Sequence, residues 1–190
     1  DSLQLAYRLY SDSDIGFNKD QYIEFSYNIK ADSYMFDFDI HFVGLENIMD
    51  NRSSYVEFNW KQNLRTQEQI VDQYNGSGIY YKYYQDDVDN LSENDDEQES
   101  LKGKLAWVSF KQRFFSSSLI AKDHFVGANI EQAHLPSKDP KYQISMSTDV
   151  GLPIDNVRDF TVAMQMYLGP NEFKRMKDYG LDLERQIPIG

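Results

Sequence analysis

The chain has 190 residues, a length that suits one domain or two small ones and allows a sizeable core. With 31 acidic against 19 basic residues its formal net charge is -12, which repels phosphate backbones and sets aside a nucleic-acid partner. Cysteine is absent, so disulfides, thiolate metal sites and a cysteine nucleophile are excluded.

In chain order, most of the sequence alternates with period two, the mark of strands with one buried face. Leu3, Leu5, Tyr7 and Leu9 begin the series, and Ile23, Phe25, Tyr27 and Ile29 repeat it. Ser33 to Val43 is the clearest case, with Tyr34, Phe36, Phe38, Ile40 and Phe42 on one face. Further strands are expected at 55–60, 78–84, 104–110, 114–121, 125–130, 142–148 and 157–168. About ten short strands suit an antiparallel sandwich, and fourteen Tyr and twelve Phe agree with a pleated, half-buried surface. A single helical turn is expected near 67–73. The acidic stretch 86–100, DDVDNLSENDDEQES, reads as a solvated loop between strands.

The one sustained helical pattern is C-terminal. Gly169 is expected to break the last strand, and Pro170 suits a first helical turn, where its missing N–H costs nothing. Phe173, Met176 and Tyr179 then share a face, and Gly180 stands where a left-handed cap belongs. Leu183 and Ile187 form a second apolar pair, ended by Pro188. Two units follow: strands over 1–168 and a helical segment over 169–190. The apolar ending, IPIG, suggests that the native chain continues.

Chemistry-bearing patterns are sparse. Asp86, Asp87, Asp89 and Asp95 supply carboxylates, but without the spacing of a calcium loop. His41, His124 and His134 are isolated from one another, and neither a nucleophile elbow nor a phosphate-binding glycine loop is present. Three sequons, at Asn51, Asn75 and Asn90, carry meaning only for a eukaryotic source. No stretch approaches the roughly 20 apolar residues of a membrane span.

Two stretches are more distinctive: WVSFKQRFFSSSLIA at 107–121 and MYLGPNEFKRMKDYGLDLERQIPIG at 166–190. Together they resemble the large periplasmic domain of the bacterial membrane protein insertases of the YidC/Oxa family, in its Bacteroidota-like form. Tyr167, Leu168, Gly169, Pro170 and Phe173 stand at the family's Gly-Pro turn, and residues 182–190 at its membrane-proximal end. The resemblance implies a mainly β fold, an antiparallel β-supersandwich of galactose mutarotase-like topology with short C-terminal helices. The domain of this family is usually longer, so N-terminal strands are expected to precede Asp1.

It further implies a non-catalytic interaction or positioning domain at the periplasmic face of the inner membrane, with no cofactor. Its partners would be the membrane core of the same protein, nascent membrane proteins, and Sec translocon components of the SecDF type. The residues expected to position it are Phe173, Met176, Tyr179, Leu183 and Ile187, with a basic face of Lys174, Arg175 and Lys177 that suits lipid headgroups. The competing reading is a carbohydrate-binding or carbohydrate-active sandwich using Tyr80, Tyr81, Tyr83 and Tyr84 as stacking rings. A free-standing secreted surface protein is a third.

Overall fold

The computed structural model describes residues 1–11, 16–50, 52–66, 76–135, 141–156 and 158–188. Among these residues ten strands are followed by two short helices. The strands are β1 (Ser2–Tyr10), β2 (Tyr22–Lys30), β3 (Met35–Val43), β4 (Tyr55–Arg65), β5 (Gly78–Tyr83), β6 (Val88–Asn90), β7 (Glu97–Lys111), β8 (Phe115–His134), β9 (Tyr142–Pro153) and β10 (Asp159–Pro170). An α-helix, α1 (Phe173–Asp178), and a 3₁₀ turn, Leu183–Gln186, complete the chain. The turn expected at 67–73 lies outside the described residues.

All pairings are antiparallel, in the order β1-β2-β3-β10-β8-β7-β5-β6, with β9 on β8 and β4 on β9. The path forks at β8. Phe115–Ala121 pairs with β10, whereas Ala128–His134 pairs with β9. Strand β7 follows both halves, and its register slips between Lys102 and Trp107. There Gly103 and Gly127 hold φ of 119° and 140°, a backbone region that other residues rarely adopt. The long β7–β8 hairpin thus bends and contributes to two layers.

The layers meet face to face. Phe58 of β4 approaches Phe38 of β3, with ring centroids 6.0 Å apart, and Trp60 stacks on Phe110 of β7 at 4.0 Å. Among the described residues β4 is hydrogen-bonded to β9 alone, so these contacts cross the interior of a sandwich. Phe38, Ile40 and Phe42 of β3 are buried there with Phe125, Ile130, Met146 and Met164, as the alternation of β3 predicts. At one edge, Leu3, Leu5, Tyr7 and Leu9 of β1 share a face but remain exposed.

Three expectations are corrected. The strands foreseen at 114–121 and 125–130 are one strand, because the polar residues between them sit on its bend, where Lys122 pairs with Asp37 at 2.9 Å. The acidic stretch is not a plain solvated loop. It contains β6 and the start of β7, and Leu91 at its centre is buried. Gly169 does not break the last strand, which runs through Pro170. A Cβ at Gly169 would stand 2.7 Å from the Tyr34 side chain, so this glycine permits close packing inside the strand.

Candidate functional site: the C-terminal clamp

Period-two alternation sends Trp107, Ser109 and Lys111 of β7 to the outer face of the sheet, opposite the main core. Trp107 joins Met35, Ile120 and Tyr167 in a second apolar cluster. Met176 of α1 and Leu183 of the 3₁₀ turn close over it, and both are fully buried. Tyr179 and Ile187 pack at its margin. Tyr179 meets the edge of the Tyr167 ring at 5.8 Å.

Polar contacts fix the register of this lid. The Trp107 indole N–H donates to the Leu181 carbonyl at 2.9 Å. The Ser109 hydroxyl donates to Gln186 Oε1 at 2.7 Å, and Ser118 Oγ lies 2.7 Å from Ser109 Oγ. A hydroxyl has one hydrogen, so Ser118 is the donor to Ser109. Asp182 lies 3.3 Å from Lys82, and Arg185 lies 2.7 Å from Asp87. The Arg185 guanidinium holds the Asp87 carboxyl below its ordinary range. Burial pushes the Tyr167 phenol up to about 12, so it stays a donor to the Pro170 carbonyl.

The start of the segment is tied as firmly. Asn171 Nδ2 donates to the Gln112 and Arg113 carbonyls, at 2.6 and 3.3 Å, and its backbone N–H to the Phe114 carbonyl at 2.7 Å. The Ser116 hydroxyl donates to Asn171 Oδ1. α1 ends at Asp178 with Tyr179 as its C-cap, and Gly180 beyond it, with φ of 68°, is the left-handed residue foreseen from the sequence.

Of the residues expected to position the domain, Met176, Tyr179, Leu183 and Ile187 face the sheet. Phe173 does not: it is 38% exposed, with the Lys177 ammonium 5.6 Å from its ring centre. Lys174 and Lys177 are exposed, and Arg175 binds Glu172 at 2.9 Å. Trp107, Ser109, Ser118, Asn171 and Gln186 were not among the expected site residues. The alternation that turns Trp107 and Ser109 away from the core was a usable signal, but no sequence pattern says what an outer face will carry.

The remaining candidates have partners within the fold. Tyr81 is buried and Tyr80 faces the second cluster, so the four tyrosines do not form one open stacking platform. Tyr80 donates to Glu93 at 2.7 Å, and Glu93 pairs with the buried Lys111 at 2.9 Å. Lys111 Nζ also donates to the Gly76 carbonyl at 2.7 Å. Gln132 Nε2 donates to the Ser92 and Asp95 carbonyls, which fastens the acidic stretch. His41 meets Thr161, and His134 meets Asp96. Among the described residues no group of three or more His, Asp or Glu is placed to hold a metal ion. None of their helices is long and apolar enough to cross a membrane.

The two stretches that suggested a family therefore meet in one contact: 107–121 gives Trp107 and Ile120 to the floor, and 166–188 gives Tyr167 to the floor and then supplies the lid. The family model of the YidC periplasmic domain matches residues 14–190. The chain belongs to this family. A membrane protein insertase YidC of Parabacteroides distasonis is 28% identical over 180 residues, covering 89% of this chain and 28% of the relative. One from Bacteroides fragilis is 31% identical over 156 residues, covering 82% of this chain and 25% of the relative. The chain thus spans less than a third of the length of these curated relatives.

Among solved structures, a galactose mutarotase related enzyme from Lactobacillus acidophilus is 11% identical and covers 87% of this chain and 67% of its own, with a TM-score of 0.43. A likeness so loose says nothing about chemistry. The relatives carry the name membrane protein insertase, and the model that matches this chain is that of their family's periplasmic domain.

Proposed function

We propose that the domain is a non-catalytic positioning and interaction module, and that the clamp sets its pose relative to the insertase's membrane core. The observation that supports this reading is the fully buried pair Met176 and Leu183, locked over Trp107 by the Leu181 and Gln186 hydrogen bonds. A segment held at its start, middle and end moves with the sandwich, so the pose of one dictates the pose of the other. Nascent membrane proteins are the clients that the family's role implies, with Sec translocon components of the SecDF type as neighbours.

The test uses the full-length protein. Met176→Ser combined with Trp107→Leu removes the central contact and its hydrogen bond. Insertion of a client with a protease-accessible periplasmic loop is expected to fall several-fold at unchanged protein level. The isolated domain should still show a cooperative unfolding transition. Undiminished insertion, with the segment shown to be released, would refute the positioning role.

A further inference from the structure

We propose that the end of the sandwich formed by the Gln112–Phe114 turn, the end of β10 and α1 is a contact surface for an anionic phospholipid bilayer. This deepens the positioning role above and rests on the domain standing over a membrane. The register brings these parts to one end: Pro170 pairs with Phe115, and Tyr167 with Met35, next to Tyr34. Asn171 binds the turn and α1 into one unit.

Large apolar side chains crowd this end without cover. Phe114 is 58% exposed, Phe115 49%, Leu168 46% and Tyr34 42%. Three of the rings here carry a cation. Arg113 lies 5.3 Å from the ring centre of Phe114, Arg175 5.1 Å from Tyr34, and Lys177 5.6 Å from Phe173. That pairing suits the headgroup boundary, where a ring enters the acyl margin while its cation meets phosphate.

Charge complementarity selects the bilayer over an unspecified apolar partner. Arg113, Lys174, Arg175 and Lys177 face two acids in these segments, Glu172 and Asp178, and Arg175 already binds Glu172. The chain as a whole is at -12, so an anionic surface repels most of the molecule and accepts this end. The lid also heads this way. Leu181 sits at Trp107, whereas Gln186 sits at Ser109 and Ser118, nearer the hairpin turn.

Phe114→Trp in the 190-residue chain reports the contact by fluorescence. Vesicles of mixed phosphatidylglycerol and phosphatidylcholine should blue-shift the new signal relative to the parent chain, and pure phosphatidylcholine should do so far less. The response should weaken with added salt. Lys174→Glu with Lys177→Glu should lower partitioning by about 30-fold or more, from two basic contacts near the surface. Phe114→Ser with Phe115→Ser should lower it with the unfolding midpoint unchanged. Lys61→Glu with Lys102→Glu, exposed elsewhere, should have little effect. The proposal is overturned by no response to anionic vesicles, or by an equal loss in the Lys61 and Lys102 variant. Either result leaves the clamp's effect on insertion to stand or fall separately.

Discussion

At Lys111 two charges share a partly dry site, and their unequal burial decides what each is worth. The Lys111 side chain is 3% exposed and that of Glu93 28%. Removing Glu93 strands a buried ammonium, whereas removing Lys111 leaves a carboxylate that water can reach. Glu93→Gln should therefore cost about 2–4 kcal/mol and Lys111→Met about half that, read from urea unfolding. Burial pushes the Glu93 carboxyl up, but the Tyr80 hydroxyl and the Lys111 ammonium outweigh it and hold it below the ordinary carboxylate range. A depressed carboxyl stabilises the fold above its unfolded value and loses that contribution as pH falls through the folded one. Glu93→Gln should accordingly flatten the decline in stability below about pH 4.5. If the acid limb is unchanged, the pair does not couple to folding. Gly169 is the other telling position. Gly169→Ala drives a methyl into Tyr34 and should cost about 1–3 kcal/mol by overpacking, although its backbone suits any residue. A thermal midpoint equal to the parent's would show that the strand yields freely.

At the scale of elements, period-two patterning made the strands legible because one face of each is apolar and buried. β3 shows this most plainly, with Phe38, Ile40 and Phe42 inward and His41 outward on Thr161. The same logic failed where polar residues are used structurally. Lys122, Asp123 and His124 read as a break but ride on a continuous strand, where Lys122 and Asp123 are exposed and Lys122 pairs with Asp37. The acidic stretch read as a solvated loop because its anchors are far away in sequence: Lys111 for Glu93, Gln132 for the Ser92 and Asp95 carbonyls. The C-terminal lid was half legible. Its apolar spacing predicted Met176, Tyr179 and Leu183, and Gly180 predicted the cap. Its floor was not legible, because Trp107 and Ser109 look like ordinary strand residues until a partner covers them. Family resemblance in 107–121 and 166–190 pointed at both halves, but only the fold joined them.

Over the whole molecule, stability is expected to be uneven. β7 and β8 lie in both layers and carry the most buried side chains, whereas β1 pairs with β2 alone among the described strands and lies exposed. Amides of β1 should therefore exchange with solvent well before those of β7 and β8. A positioning role depends on where the C-terminal lid falls between these extremes. Native-state hydrogen exchange of the 190-residue chain decides it, at the hydrogen-bonded amides of Met176, Gly180, Arg185 and Ile187. A lid that is part of the sandwich opens only with it, so these amides should approach the protection of Trp107's strand. They should lose that protection in Met176→Ser while β8 keeps its own. Exchange of the parent lid at the rate of β1 would contradict a positioning role, because a segment that opens freely fixes no pose.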